Sequence, residues 1–362
     1  MERVFNFGAG PCTLPLEVLK EAQSEFTNFQ GSGMSIIESS HRGKEYDTVH
    51  HEALTMLKEL YGAPEDMEVL LLQGGATLQF SMIPMNLAKK GKKAAYLVTG
   101  SWSKKALADG KLYADAYAAW DGKDDNYSHM PKSKDIKLQE NTQYLYICSN
   151  ETIGGIRFPK FPDVDVPLIV DVSSEFLSRP IEWDKCDLVY GGVQKNLGPS
   201  GVTILFIRKH LLENLNTGLG AYLNYATHAK AKSLYNTPPV FSIYMMNKVL
   251  KWVKKCGGLK GIEKMAEEKA GLIYDAMDQS NGYFRSPVAK EDRSRMNIVF
   301  RLPTEELEAK FLEESKKKGL VALKGHRSVG GLRASTYNAM PLEGAKALVA
   351  FMKDFQAQNP AS

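Results

Sequence analysis

The chain has 362 residues, 43% hydrophobic and 24% charged, with a formal net charge of +4. That length exceeds one ordinary core and buries about three quarters of the unfolded surface, so a soluble globular protein of two domains is predicted. No apolar run reaches the roughly 18 to 20 residues of a membrane helix, and Met1-Glu2-Arg3-Val4 opens no secretory signal, so a cytosolic chain without membrane contact is expected.

Near the start, Gly8-Ala9-Gly10-Pro11-Cys12-Thr13 half-matches a dinucleotide fingerprint. Thr13 stands at its sixth position and Pro11 obstructs the start of a helix, so it is excluded as a nucleotide site. Strand-like apolar segments follow at 68–73, 93–98, 114–119, 143–148, 167–170, 187–190 and 202–208, several separated by helical patterns such as Leu78 to Lys89 and Trp102 to Leu107. This alternation predicts a largely parallel sheet, whose ligands collect at the carboxyl ends of its strands. The character changes near Pro238-Pro239 and again at Cys256-Gly257-Gly258. Helices at 242–255 and 261–279, a strand at 295–301, a helix at 304–318, strands at 319–323 and 331–335 and a helix at 341–357 then predict a second, smaller α/β domain. In helix 304–318 the early Glu305, Glu306 and Glu308 and the late Lys316, Lys317 and Lys318 suit the helix dipole and read as a solvated face. Charge is otherwise spread evenly, so nucleic acid has no footprint here. Cys12, Cys148, Cys186 and Cys256 are scattered without a C-x-x-C pair, so neither a metal site nor a disulfide framework is expected. Cys148 and Cys186 are expected to fill core strands.

Candidate functional residues gather where the predicted strands end. Gln73-Gly74-Gly75-Ala76-Thr77 opens a helix, and small residues there expose backbone N–H groups to an anion such as phosphate; a tight turn capped by Thr77 reads the same way. The lysine of a P-loop is absent. Thr99-Gly100-Ser101-Trp102 puts a tryptophan at the next strand end, where it is either core or a stacking partner for a flat ring. Ser149-Asn150-Glu151-Thr152 is a polar turn. Asp171 ends the segment Leu168-Ile169-Val170-Asp171, and Lys195 follows 24 positions later in Gly191-Gly192-Val193-Gln194-Lys195. A pyridoxal phosphate enzyme needs such a pair: the amine forms a Schiff base with the cofactor aldehyde, and the carboxylate keeps the pyridine nitrogen protonated. By itself the pair is also what a strand-end turn and a solvated lysine produce.

Taken together, these elements stand in the order found in the phosphoserine aminotransferases, fold type I pyridoxal phosphate enzymes of the class V group. The resemblance runs over essentially the whole chain, through Phe5-Asn6-Phe7-Gly8-Ala9-Gly10-Pro11 with Leu14-Pro15, Gly33-Met34-Ser35-Ile36-Ile37-Glu38-Ser39-Ser40-His41-Arg42, and Gly330-Gly331-Leu332-Arg333-Ala334-Ser335-Thr336-Tyr337-Asn338. It implies an α/β fold: a large domain, 16–257, with a mainly parallel seven-stranded sheet flanked by helices, and a small domain of 1–15 and 258–362. It also implies pyridoxal 5'-phosphate, bound through Lys195, with Asp171 at the pyridine nitrogen, Trp102 stacked on the ring and Thr152 at the ring hydroxyl. Ala76, Thr77 and Gln194 would hold the cofactor phosphate, joined by Asn236 and Thr237 across a homodimer interface that makes each active site shared. Some relatives have arginine where Thr77 stands, so a hydroxyl and backbone N–H groups must serve here.

The implied reaction is reversible amino transfer from L-glutamate to 3-phosphohydroxypyruvate, giving O-phospho-L-serine and 2-oxoglutarate in serine biosynthesis. Each of these carries at least two anionic groups, and an arginine fork suits a carboxylate. The resemblance gives the α-carboxylate to Arg333 and the distal anion to His41, Arg42, His326 and Arg327. Two other readings are an alanine-glyoxylate-type aminotransferase, which would share Asp171 and Lys195, and a non-catalytic binding protein on the same scaffold, which retention of Lys195 argues against. A cysteine desulfurase would need a mobile nucleophilic cysteine, and no cysteine stands in an obvious active-site loop.

Overall fold

The computed structural model of the chain describes residues 3–360. Seven strands, β1 (Met67–Leu72), β2 (Lys93–Val98), β3 (Asp115–Asp121), β4 (Thr142–Cys148), β5 (Leu168–Asp171), β6 (Cys186–Gly192) and β7 (Thr203–Arg208), form one sheet in the order β1-β7-β6-β5-β4-β2-β3. Neighbours run parallel except at β7, which is antiparallel to both β1 and β6. All seven apolar segments of the sequence become these strands. The largest extension is at β6, where Gly191 and Gly192 pair with Ile204 and Thr203 of β7. Pairing with a neighbour overrides the weak strand preference of glycine there.

A parallel sheet must be covered on both faces, and this one is. Leu70, Tyr96, Tyr146, Ile169 and Tyr190 face one core, under the helices Gly75–Leu87 and Ser101–Tyr113. Leu71, Leu97, Ile147, Val170 and Phe206 face the other, beneath the helices Lys44–Tyr61 and Val240–Lys255. Helix Lys44–Tyr61 was not among the predicted elements, although Tyr46, Val49, Ala53, Met56 and Leu57 supply the apolar spacing that buries it.

A separate core lies among the helices Gly258–Asp278, Glu305–Lys317 and Leu342–Gln358. They pack on an antiparallel pair, Asn297–Phe300 with Leu332–Ser335, and on a parallel pair, Phe5–Asn6 with Leu320–Val321. Residues 5–6 are thereby tied to this second core, in which Phe7 is fully buried. Helix Gly258–Asp278 serves both: Ile262 packs against the large sheet, and Ala270, Ile273 and Met277 pack in the second core. The acid-to-lysine helix occurs at Glu305–Lys317, with the Thr304 hydroxyl accepting from Leu307 N at 3.3 Å as its cap. No described helix is long and apolar enough to cross a membrane.

Candidate active site

The carboxyl ends of β1, β2, β4, β5 and β6 open on one cavity of about 550 Å³, where ligands collect in sheets of this kind. Two helices begin at its wall, and they are not equivalent. Glu151 fills the start of Ser101–Tyr113: its carboxylate accepts from Trp102 N at 3.0 Å, Ser103 N at 2.8 Å and the Ser103 hydroxyl at 2.7 Å. The start of Gly75–Leu87 has no side-chain cap, and Gly75, Ala76 and Thr77 line the cavity. Only the second helix has its N–H groups and its dipole free for an anion. Gly74 makes the tight approach possible, since its φ is 87° and a Cβ there would lie 2.4 Å from Leu78 Cδ2.

Lys195 is buried, and its Nζ donates to the Thr152 hydroxyl at 2.6 Å. The carbonyl of Thr152 accepts from Arg333 Nη1 at 3.1 Å, so one residue of the β4 loop sets the spacing between the lysine and the arginine. Arg333 sits on the strand Leu332–Ser335, and the second core thus delivers its guanidinium to the edge of the sheet. Burial pushes the Lys195 amine below its ordinary value, while the Asp171 carboxylate pulls it back. Burial pushes Asp171 up; N–H and O–H donors and the Lys195 charge oppose this. Ser173 N donates to Asp171 Oδ1 at 2.8 Å and the Tyr190 hydroxyl to Oδ2 at 3.2 Å. The indole of Trp102 forms the adjoining wall, its centroid 5.4 Å from Lys195 Nζ. An amine, a carboxylate, an aromatic wall and an open helix start around one cavity suit a flat, phosphorylated aldehyde with a basic ring nitrogen.

Of the sequence-derived candidates, Ala76, Thr77, Trp102, Thr152, Asp171, Gln194, Lys195, His326 and Arg333 line the cavity together. His41, Arg42, Arg327, Asn236 and Thr237 are not part of its lining. Arg42 and Arg327 are exposed, and Asn236 and Thr237 lie beside Gln73, whose Nε2 donates to the Thr237 carbonyl at 3.0 Å. His326 holds its ring by accepting at Nδ1 from Ser328 N at 3.2 Å, which leaves Nε2 to carry the proton of the neutral ring. Its pKa is lowered by burial and by the nearby charges of Arg333, Arg327 and Lys105.

Several lining residues escaped the sequence reading. Ala9, Gly10 and Pro11, set aside as a failed nucleotide fingerprint, close one side of the cavity. Gly10 lies within van der Waals reach of Lys195 and takes a φ of 141°, a conformation that favours glycine. Ser173 was legible, because an acid two residues before a serine is the pattern of a side chain accepting from a turn N–H. Glu151, which stands behind the lining, carried no such signal, because nothing in the sequence brings it to the start of a helix 50 residues earlier.

The family model for aminotransferase class-V matches residues 4–348. The phosphoserine aminotransferase of Lysinibacillus sphaericus is 52% identical to this chain, over 99% of each. Among solved structures, phosphoserine aminotransferase from Bacillus circulans subsp. alkalophilus superposes with a TM-score of 0.97 at 53% identity, covering 99% of both chains. The pyridoxal phosphate-bound phosphoserine aminotransferase of Trichomonas vaginalis gives 0.93 at 42% identity, over 97% of this chain and 100% of that one. Likeness of this extent takes in both the strand-end lysine of the sheet and the arginine strand beside it, and the chain belongs to the class-V aminotransferases, within the phosphoserine aminotransferase family.

Proposed function

We propose that this chain is a pyridoxal 5'-phosphate-dependent transaminase that moves the amino group of L-glutamate to 3-phosphohydroxypyruvate and yields O-phospho-L-serine and 2-oxoglutarate. The observation that carries the reading is the Lys195–Thr152–Arg333 link, which sets a buried amine at a fixed distance from a guanidinium over one cavity. When bound, the cofactor supplies an electron sink for the pair left as the α-hydrogen departs. The residues of the chain do the rest. Arg333 binds the α-carboxylate in a forked contact and so turns the α-hydrogen toward Lys195. Lys195 Nζ takes that proton and returns it, and burial favours the neutral amine that this needs. Thr152 holds Nζ in place between transfers. Asp171 would meet the ring nitrogen as an anion, Trp102 would stack on the ring, and Gln194 would join the N–H groups of Ala76 and Thr77 in holding the phosphate.

The distal phosphate or carboxylate of the substrate falls to His326 within the cavity and to His41, Arg42 and Arg327 around it. In this reading the enzyme is a homodimer with symmetric two-fold sites, and Asn236 and Thr237 serve the cofactor phosphate of the partner subunit. Their position outside the cavity of their own chain supports that role. The division into a large domain, 16–257, and a small one, 1–15 with 258–362, is part of the proposal; the separate core that joins Phe7 to Ala270, Phe300 and Phe355 supports it, while Ile262 and Val288 pack on the large sheet. The test is to reduce the holoenzyme with borohydride and map the modified peptide, then follow glutamate formation from phosphoserine and 2-oxoglutarate. Modification of Lys195 with robust turnover is expected. Modification elsewhere, or turnover of alanine exceeding that of phosphoserine, would overturn the reading.

A further inference from the structure

Behind the cavity, the face of the sheet that carries Asp171 holds a row of buried tyrosines. Asp171 pairs directly with Tyr190 across β5 and β6, and Cys148 of β4 pairs with Asp171 on the other side. Tyr146 stands two residues before Cys148, so the period of a strand puts its side chain on the same face. The result is a chain of hydroxyls: Tyr146 Oη lies 2.8 Å from Tyr190 Oη, and Tyr190 Oη lies 3.2 Å from Asp171 Oδ2. Tyr190 is fully buried and Tyr146 is 1% exposed.

The direction of the protons follows from counting. An ionised carboxylate only accepts, and a phenol has one proton to give. The proton of Tyr190 is committed to Asp171 Oδ2, so Tyr146 must donate to Tyr190. In a dry interior such donors polarise one another, and the second hydroxyl strengthens the first. The other oxygen of Asp171 is already held by Ser173 N.

We infer that Tyr190, backed by Tyr146, is a positioning residue that keeps Asp171 ionised and fixed in plane, and so sets how far the ring nitrogen of the cofactor is protonated. This rests on the proposed function, since it presumes that Asp171 faces that nitrogen. The two hydroxyls stabilise the pair with carboxylate and pyridinium over the neutral pair of carboxylic acid and pyridine. Removing a donor moves the shared proton toward Asp171. Nearby, Tyr96 and Tyr144 form a hydroxyl pair at 3.2 Å that belongs to the same core but makes no hydrogen bond to the chain ending at Asp171. It serves as a built-in control.

The experiment loads the enzyme with cofactor labelled with nitrogen-15 in the ring and records its chemical shift for the parent, Tyr190→Phe, Tyr146→Phe and Tyr144→Phe. The expected order is a shift toward unprotonated pyridine that is largest for Tyr190→Phe, smaller in the same direction for Tyr146→Phe and absent for Tyr144→Phe. Cofactor affinity should fall about ten-fold in Tyr190→Phe, the size of one charge-assisted hydrogen bond. If Tyr190→Phe does not fold, the Tyr146→Phe and Tyr144→Phe pair decides alone. A resonance unmoved in the first two variants, or moved equally in Tyr144→Phe, overturns the relay. A parent that takes up no cofactor overturns the proposed function itself, which separates the two failures.

Discussion

The lysine pole of the cavity and the cationic rim around it are built on opposite plans. At the pole, Lys195, Asp171 and Thr152 are buried and each is hydrogen-bonded to a partner in the same chain. At the rim, Arg42 and Arg327 are exposed and stand off the cavity wall, and Asn236 and Thr237 hang on Gln73. On the proposed function the difference means that proton chemistry has water excluded and geometry fixed before the substrate arrives, whereas recognition of a distal anion would be left to solvated charges that a second subunit or the substrate completes.

The largest effect should come from breaking the pole. Lys195→Ala removes the only lysine among the described residues that line the cavity and should lower turnover by at least about 10⁴-fold, with borohydride leaving no modified peptide at that position. Next stands the link between pole and rim. Arg333→Leu should cost both half-reactions about 2 to 4 kcal/mol, on the order of 30- to 1000-fold in kcat/KM, because the α-carboxylate is common to glutamate and phosphoserine. Unchanged single-turnover rates with both substrates would move the anchor elsewhere.

The rim sharpens the contrast. Arg42→Leu or Arg327→Leu should leave alanine-like amines nearly unaffected and penalise phosphoserine by roughly 3- to 30-fold, as expected for solvated charges. Subunit sharing is tested by co-refolding Lys195→Ala with a chain carrying Asn236→Asp and Thr237→Asp. Each is expected to be inactive alone, and the purified heterodimer should regain about half of wild-type activity because one of its two sites would be intact. No recovery would confine each site to its own chain.

The smallest effect concerns the support behind Arg333. Lys269 is buried in helix Gly258–Asp278, and its Nζ donates to the carbonyls of Tyr337 at 2.7 Å, Met340 at 2.9 Å and Asn338 at 3.3 Å, clasping the loop after the arginine strand. Lys269→Met should cost about 1 to 3 kcal/mol of stability through those unpaired carbonyls, with kcat changed little. Burial pushes the Lys269 amine from 10.5 down to about 7, and above that value its two remaining N–H groups serve the nearer carbonyls of Tyr337 and Met340. Between those values the unfolded chain holds the extra proton, so the parent gains stability as pH rises through that window. The variant lacks this gain, and its deficit in urea denaturation should be wider at pH 9 than at pH 7.

Much of this architecture is written locally. A strand is fixed by its own apolar run, which is why all seven strands of the sheet were legible, and the rule that parallel strands gather ligands at their carboxyl ends pointed to Trp102, Thr152, Asp171 and Lys195 as neighbours. The whole-chain resemblance added Arg333, which no local pattern assigns. What the sequence left open depends on distances between remote segments. Only the folded chain shows Glu151 filling one helix start while the other stays open to the cavity, Gly10 in van der Waals reach of Lys195, or Thr152 hydrogen-bonded to lysine and arginine at once. The same is true of Tyr190 behind Asp171: as a core tyrosine it matches its strand pattern, and strand register alone turns its hydroxyl toward the carboxylate. Periodicity determines which residues are buried, but the pairing of strands and the docking of the second core decide which buried polar groups meet.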